Sequence, residues 1–304
     1  MTRASARLRA LAFVGVVLAP SVTAASQASA DRWDPTLAVT LPVSADDRIP
    51  ATVTFPPGRA PMPAVVIAHD CSGLGPRSSG APARWARVLD AHGYITIRGD
   101  SFTTRGLPDG VCSDPSPKRT TVDAANRTRD VYAALAYLRD HPAVDRTRIG
   151  LMGGSHGGTT TLSAMLALDD ADPNAASRRD GFAAAVALYP SCAPSARTWH
   201  NATNVYRPAA PLLILIGDKD DWTPAAACQS LAEASRAAGH PVTLKVYPGA
   251  HHAFDSDRPV RFVASRINAN APGRRGATTG GHAEAWADAI RQVLAFFGEH
   301  LRAR

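Results

Sequence analysis

The chain has 304 residues, of which 45% are hydrophobic and 19% are charged, and its formal net charge is +7. These values are ordinary for a globular protein, and the length suits one large α/β domain. The basic excess is spread along the chain without a basic stripe, which argues against nucleic acid as a partner.

The first thirty residues have the features of a secretory signal peptide. Three arginines lie within the first nine residues, the apolar stretch 10–19 is too short to span a bilayer, and Ala28-Ser29-Ala30 fits a cleavage site. A cleavage site a few residues upstream, or retention as an uncleaved anchor, is the alternative. We expect residues 1–30 to be removed and the mature domain, 31–304, to be secreted or periplasmic without membrane attachment.

Beyond residue 31, short apolar runs alternate with amphipathic stretches. Two short strands are expected first, at 37–41 and 52–55. The later runs are continuous, as in strands buried on both faces of a parallel sheet, and the stretches between them have helical spacing. This alternation predicts an α/β fold with a doubly wound, mostly parallel sheet and helices on both faces. The later strands are predicted at 64–68, 94–97, 148–152, 183–188, 212–216 and 242–247, and the helices at 83–92, 122–140, 159–168, 225–238 and 283–301.

No internal repeat or domain linker interrupts residues 31–304, so a single domain is expected. Residues 255–280 are rich in Arg, Asn, Gly and Thr and have no clear periodicity. We predict that they form an irregular surface loop, which could border the substrate pocket.

Four cysteines, Cys71, Cys112, Cys192 and Cys228, follow the signal segment. In an exported protein an even number of cysteines favours disulfides, and no spacing here resembles the C-x-x-C pattern of a zinc cluster. We predict the pairs Cys71–Cys112 and Cys192–Cys228, because each would join loops at the same edge of the predicted sheet. Four reduced thiols that pack separately are the alternative.

The most informative motif is Gly153-Gly154-Ser155-His156-Gly157, which has the form G-x-S-x-G. It lies where the predicted strand 148–152 leads into the helix 159–168. On such a turn the serine is held in a strained backbone conformation with its hydroxyl exposed, and the glycines avoid clashes with the neighbouring strand and helix. The motif therefore predicts that Ser155 is a nucleophile.

A serine nucleophile needs a base to accept its proton and an acid to orient that base. In this arrangement the chain order is serine, acid, histidine, and the groups gather at the carboxyl ends of parallel strands. The strand 212–216 is followed by three aspartates, of which Asp220 is preferred as the acid, Asp221 is the close competitor and Asp218 is third. Any of them could instead be an N-cap or a loop carboxylate.

Two histidines follow the next strand, 242–247. His252 is preferred as the base and His251 is the alternative, since the histidine comes last in the chain order. An unperturbed imidazole titrates near neutral pH, which suits a general base. A histidine pair can also indicate a metal, but no further ligand stands at a suitable spacing nearby, so no metal site is expected.

Acyl transfer also needs two hydrogen-bond donors for the oxyanion of the tetrahedral intermediate. One is predicted to be the backbone N–H of His156, the residue after the nucleophile, and the other that of Cys71 in the loop after strand 64–68. A role of the His156 side chain as a second base is the alternative. It is the weaker one, because the residue at this position serves through its backbone.

With these residues in place, the chain resembles the dienelactone hydrolase family of the α/β-hydrolase superfamily over roughly residues 35–300. That family places its acid three residues after a glycine and four before a proline, which favours Asp220, and follows its histidine with x-Phe, which favours His252. The resemblance implies the α/β-hydrolase fold, no cofactor, and a small-molecule ester or lactone as substrate. The matching stretches are His69–Gly73, His92–Tyr94, Asp100–Phe102, Gly153–Gly158, Gly217–Pro224 and Gly249–Phe254.

Two features depart from the founding members of that family. Those members have a cysteine nucleophile where this chain has Ser155, and a glutamate after the loop histidine where it has Asp70. The serine favours general ester hydrolysis and does not imply dienelactone itself. Asp70 and Arg105 are candidate substrate-binding residues, and Arg98 is a further candidate for binding a substrate carboxylate. Either arginine could equally be a surface or structural residue.

The sequence therefore predicts an exported serine hydrolase that cleaves carboxylic esters or lactones through an acyl-enzyme intermediate. Ser155 attacks the substrate, His252 transfers the proton and Asp220 orients His252. Two alternatives remain: a non-catalytic binding protein on a hydrolase fold, and an acyltransferase or perhydrolase that uses the same three residues. The sequence indicates no oligomeric state.

Overall fold

The computed structural model describes Met1 and residues 35–167, 180–193 and 205–301. The predicted signal peptide, residues 1–30, therefore lies outside the described residues except for Met1. Residues Trp33–Arg304 cluster as one unit. None of the helices in the described ranges combines the length and the apolarity that crossing a bilayer requires.

An eight-stranded sheet forms the centre of the described structure. Its spatial order is β1-β2-β4-β3-β5-β6-β7-β8, with β1 (Thr36–Pro42), β2 (Arg48–Thr54), β3 (Met62–Ala68), β4 (Ile95–Gly99), β5 (Val144–Gly154), β6 (Ala184–Leu188), β7 (Leu212–Gly217) and β8 (Val242–Tyr247). The pairs β1–β2 and β2–β4 are antiparallel, and all later pairs are parallel. This mostly parallel sheet confirms the predicted α/β fold.

Helices pack on the sheet. They are α1 (Ala81–Asp90), α2 (Ala124–Asp140), α3 (His156–Met165), α4 (Ala225–Ala237) and α5 (Ala283–His300). Trp85 of α1 contacts Trp286 of α5, with ring centroids 4.6 Å apart, whereas α2 packs on α3. Every residue of β6 and β7 is buried, as expected of central strands that are covered on both faces.

The segment 255–280 differs from the prediction of an irregular loop. It contains an antiparallel hairpin of β9 (Arg261–Ile267) and β10 (Arg275–Thr279), which form a separate two-stranded sheet. The side chains of β9 are exposed or half-buried, and that of Phe262 is 65% exposed, so no apolar alternation marks the strand. Trp222 Nε1 donates to the carbonyl of Ile267 at 2.8 Å and connects the hairpin to the loop after β7.

Candidate active site

Ser155 lies on the sharp turn between β5 and α3. Its backbone has φ 53° and ψ −117°, a strained conformation for a residue with a side chain. Its N–H donates to the carbonyl of Leu188 at 2.9 Å. A Cβ on Gly157 would lie 2.1 Å from the carbonyl oxygen of Ala68, so this position accommodates only glycine. The close contact of strand, turn and helix therefore fixes the Ser155 hydroxyl.

His252 follows β8 and reaches the serine. Its Nε2 lies 2.8 Å from Ser155 Oγ. The imidazole is 2% exposed and lies near the rings of Tyr189 and Trp222, at centroid distances of 4.9 and 4.8 Å. These rings shield the histidine from water and restrict its rotation.

Asp220 follows β7 and contacts the other side of the imidazole. Its Oδ2 lies 2.8 Å from His252 Nδ1, and its Oδ1 accepts hydrogen bonds from the backbone N–H groups of Trp222 and Thr223 at 3.0 and 2.8 Å. The Thr223 hydroxyl also donates to Oδ2, at 2.9 Å. Because an ionised carboxylate only accepts hydrogen bonds, Nδ1 of His252 carries the ring proton and Nε2 can accept a proton from Ser155.

The neighbouring aspartates and histidine have other contacts. Asp218 Oδ1 accepts from the N–H of Gly249 at 2.7 Å. The two carboxylate oxygens of Asp221 accept from the backbone N–H and the hydroxyl of Thr278, each at 2.8 Å. His251 Nδ1 is buried without a hydrogen-bond partner among the described residues. The described contacts therefore connect Ser155 to His252 and, through it, to Asp220. They do not connect it to the alternatives.

Two disulfides join the four cysteines, as Cys71–Cys112 and Cys192–Cys228. The first lies in the cleft beside the serine. A carboxylate oxygen of Asp70 and the sulfur atoms of Cys71 and Cys112 form the one cluster of three metal-type ligand atoms found among the described residues. Since these two sulfurs are bonded to each other, they are not thiolate ligands.

The two predicted oxyanion donors belong to segments that flank the serine. Cys71 and His156 line the same cavity as Ser155. The carbonyl of Cys71 accepts from the N–H of Val111 at 2.7 Å, so the loop after β3 is held by a backbone hydrogen bond as well as by its disulfide. His156 is the first residue of α3, where backbone N–H groups have no partner within the helix.

Asp70 lines the cleft, but its carboxylate is already engaged. Its Oδ1 accepts from the N–H and the hydroxyl of Ser72 at 2.7 and 2.5 Å. Its Oδ2 accepts from the hydroxyl of Ser79. The side chain is 8% exposed, so Asp70 shapes the loop after β3 and offers only a small surface to a substrate.

The structure places Arg105 and Arg98, the candidates for binding a substrate carboxylate, away from the lining of the cleft. Arg105 makes two hydrogen bonds of 2.7 Å to Asp130 and one of 2.6 Å to Asp47, and these carboxylates raise the pKa of its guanidinium. Arg98 lies in β4, and its buried Nε has no partner among the described residues. Neither arginine is among the residues that line the two cavities beside Ser155.

A buried network behind the histidine was not predicted. The Tyr189 hydroxyl donates to Asp255 Oδ1 at 2.7 Å, and Trp85 Nε1 donates to Oδ2 at 2.8 Å. Burial raises the pKa of Asp255, and the hydrogen bonds oppose that rise. In the sequence Asp255 is one polar residue at the start of a polar segment, so no local signal distinguishes it.

Arg127 was also missed as a residue near the site. It lies in α2, is 1% exposed, and its Nη1 is 2.8 Å from Nδ1 of His156. The sequence does contain a signal for it, because Arg127 stands four positions before Val131 and eight before Leu135, on the apolar face of the helix.

Ser155 lines two cavities. The smaller, of about 70 Å³, is lined by three arginines of the hairpin segment, Arg258, Arg261 and Arg266. The larger, of about 330 Å³, is lined by Arg274 and by residues of α3 and of the loop before α2. Arg266 stacks over Trp222 with its guanidinium carbon 5.5 Å from the ring centroid. The expectation that 255–280 borders the cleft therefore agrees with the structure, although its conformation differs.

The chain is similar to several known proteins. A profile of the dienelactone hydrolase family matches residues 49–301. A Bradyrhizobium sp protein named as a probable 2-oxo-3-(5-oxofuran-2-ylidene)propanoate lactonase is 29% identical over 149 residues, which are 46% of this chain and 55% of that protein. A Methylorubrum extorquens protein assigned as a carboxymethylenebutenolidase is 27% identical over 218 residues, 70% of each chain. The chain thus spans about half the length of the first of these relatives.

The same fold occurs in solved structures. One is a protein of Klebsiella pneumoniae subsp. pneumoniae MGH 78578 assigned as a dienelactone hydrolase, with a TM-score of 0.65 and 22% identity. The alignment covers 88% of this chain and 100% of that one. At this identity the likeness shows the fold alone.

Proposed function

Since the chain belongs to the dienelactone hydrolase family, a family of ester and lactone hydrolases, we propose that it hydrolyses a carboxylic ester or lactone through an acyl-enzyme on Ser155. The observation that carries the proposal is the relay from Asp220 through His252 to Ser155, with 2.8 Å at each contact. Distances of this size allow direct proton transfer between the hydroxyl and the imidazole.

The relay supports a two-step reaction. His252 Nε2 accepts the hydroxyl proton while Ser155 Oγ attacks the carbonyl carbon, and the N–H groups of Cys71 and His156 stabilise the resulting oxyanion. Collapse of this intermediate breaks the ester C–O bond, and the imidazolium gives its proton to the leaving oxygen. Water then attacks the acyl-enzyme with His252 again as base, which releases the acid and restores the serine. Asp220 keeps the imidazole in its reactive tautomer and stabilises the imidazolium.

Labelling with a fluorophosphonate and hydrolysis of a short p-nitrophenyl ester test the nucleophile. We expect the wild-type protein to be labelled on Ser155, and Ser155→Ala to lose the label and about 10³-fold or more of the activity. Ser191→Ala, which removes another serine of the cleft, is expected to keep the label. A folded wild-type protein that takes no label would contradict the proposal.

The substrate is proposed to carry a carboxylate. The three arginines of the smaller cavity form no ion pair with a carboxylate among the described residues. Burial lowers the pKa of Arg266, the charge of Asp70 partly opposes this, and the guanidinium remains a cation near neutral pH. An anion beside the Arg266 guanidinium would recover the solvation lost there. The Bradyrhizobium relative is named for a lactone that bears a propanoate group, which agrees with this assignment.

The variant Arg266→Gln tests whether the substrate carries a carboxylate that binds Arg266. We expect it to raise KM about tenfold or more for an ester with a free carboxylate, and to leave KM for the corresponding neutral ester nearly unchanged. The matched control is Arg275→Gln on the same hairpin, because Arg275 is exposed and does not line the cleft. An equal change of KM for both esters would contradict the assignment.

Export is proposed from the N-terminal segment and the disulfides. Basic residues, a short apolar stretch and an A-x-A site occur in the order of a signal peptide, and disulfides persist in oxidising compartments. N-terminal sequencing of the product of the full chain, after cell fractionation, tests this. We expect a mature chain that begins at Asp31 outside the cytoplasm, and an intact N-terminus in the cytoplasm would contradict it.

A further inference from the structure

Arg127 is a buried cation close to the proposed oxyanion hole. It is 1% exposed, and its Nη1 lies 2.8 Å from Nδ1 of His156, the residue whose backbone N–H is assigned to the oxyanion. Its guanidinium carbon is 5.1 Å from the centroid of the Phe102 ring. The Nε of Arg127 has no hydrogen-bond partner in the described part of the chain.

This environment is unfavourable for an arginine. Burial lowers the pKa of Arg127 to about 10, so it remains charged at neutral pH. The nearby carboxylate of Asp130 is paired with Arg105 at 2.7 Å, and no carboxylate of the described residues forms an ion pair with Arg127. A buried charge without a paired carboxylate costs stability, so folding alone gives no advantage to this residue over an apolar one.

The hydrogen bond to His156 connects the cation to the nucleophile turn. A guanidinium can only donate, so Nδ1 of His156 must accept and the ring proton is on Nε2. Burial, followed by the charge of Arg127, holds the pKa of His156 well below its usual value, so the ring stays neutral. The contact therefore fixes the rotamer of the first residue of α3, which begins directly after Ser155.

The other proposed donor is held by a similar contact. Ser101 N–H donates to His69 Nε2 at 3.1 Å, so the ring proton is on Nδ1, which donates to the carbonyl of Asp70 at 2.8 Å. In a trans peptide the carbonyl and the following N–H point in opposite directions, so this bond also orients the N–H of Cys71. The Phe102 ring contacts the rings of both histidines, at 4.4 and 6.0 Å between centroids.

We propose that Arg127 is a positioning residue for the oxyanion hole, which acts through His156 to fix the backbone N–H after the nucleophile. The inference rests on the proposed serine mechanism. In this role Arg127 favours the intermediate over the bound substrate, because the oxyanion that the positioned N–H stabilises forms only in the intermediate. Loss of Arg127 should therefore lower kcat and leave KM nearly unchanged.

Steady-state kinetics on a short p-nitrophenyl ester test this role. We expect Arg127→Met to lower kcat about tenfold or more at an unchanged KM, because the oxyanion donor loses its support. Arg127→Lys keeps a charged donor and should recover part of kcat. His156→Asn, whose side-chain oxygen can replace Nδ1 as the acceptor, should retain more of kcat than His156→Phe, which removes that acceptor.

Arg139→Met is the matched control, because Arg139 lies in the same helix and donates to the Gly181 carbonyl at 3.1 Å, away from the cleft. It should lower the midpoint of thermal unfolding without changing kcat. A folded Arg127→Met with wild-type kcat would overturn the inference. If Arg127→Met does not fold, His156→Phe tests the same contact from the other side, and a wild-type kcat there would overturn the inference equally. If the proposed function itself were wrong, the wild-type protein would lack Ser155-dependent activity, and this result is distinguishable from a failure of the inference about Arg127.

Discussion

At the scale of single residues, the loop after β7 shows how neighbouring carboxylates serve different purposes. Asp220 contacts His252, whereas Asp221 accepts two hydrogen bonds from Thr278 and holds the hairpin. Asp220 also accepts hydrogen bonds from two backbone N–H groups of its own loop, which fix the direction of its carboxylate. Asp220 thus contacts the proposed base, and Asp221 connects the same loop to the hairpin that lines the cleft.

Asp220→Asn should lower kcat on a p-nitrophenyl ester by about 10³- to 10⁴-fold. The amide can donate to His252 Nδ1, which would move the ring proton to Nε2 and leave no acceptor for the Ser155 proton. Steady-state kinetics and a circular dichroism spectrum, which checks the fold, provide the measurement.

Asp221→Asn is the matched comparison at the next position. It weakens the contact to Thr278 without touching the imidazole, so we expect kcat within a few-fold of the wild type and a higher KM from a looser hairpin. Similar losses of kcat in the two variants would contradict the separate roles of the two aspartates.

At the scale of elements, the two disulfides differ in what they connect. Cys71–Cys112 joins the loop after β3 to the loop before α2, beside the serine. Cys192–Cys228 joins the segment after β6 to α4, where both cysteines are buried. Their sequence separations, 41 and 36 residues, are similar, so chain entropy predicts similar contributions to stability, of about 4 kcal/mol each.

Replacing each pair by serine separates stability from activity. We expect both double variants to lose a similar part of the free energy of unfolding, measured by urea titration. Only the double variant Cys71→Ser, Cys112→Ser should also lower kcat markedly under conditions where the protein is folded. The reason is that this disulfide holds the loop whose backbone N–H at position 71 is a proposed oxyanion donor. An equal kcat for the two double variants would show that the first disulfide does not position the loop after β3.

The predictability of the elements follows their burial. The strands β3 to β8 were predicted within a few residues, except that β5 begins at Val144, because continuous apolar runs mark strands covered on both faces. The strands of the 261–279 hairpin have largely exposed side chains and gave no such pattern. Helix α3 begins at His156, three residues before the predicted start, because its first turn lacks large apolar side chains.

At the scale of the whole molecule, the parallel sheet brings the site together. Ser155, Asp220 and His252 follow β5, β7 and β8, so their strands end at one edge. Chain order and strand ends were enough to predict this meeting from the sequence. The direction of a loop carboxylate, the engagement of Arg105 with Asp130 and the contact of Arg127 with His156 could not be predicted, because they depend on contacts between segments distant in sequence.

Burial of an imidazole also makes the stability of the whole fold depend on pH. His69 is 0% exposed, and burial, followed by the charge of Arg127, holds its pKa well below 6.5 in the folded protein. Above pH 6.5 the ring is neutral in both the folded and the unfolded chain. Below that pH the unfolded chain binds a proton that the folded chain does not, so the free energy of unfolding falls by about 1.4 kcal/mol per pH unit from this group.

Urea titrations at several pH values between 7 and 5 measure this contribution. The quantity to compare is the slope of the free energy of unfolding against pH in the wild type and in the variants. His69→Asn should be less stable at pH 7, because the Ser101 N–H loses its acceptor, yet its stability should fall less steeply toward pH 5. His92→Asn, which changes an exposed histidine, is the control and should keep the wild-type slope. Parallel slopes for the wild type and His69→Asn would mean that His69 is protonated in the folded protein. In that state Nε2 could no longer accept from Ser101, so the contact that orients the peptide before Cys71 would be different from the one described.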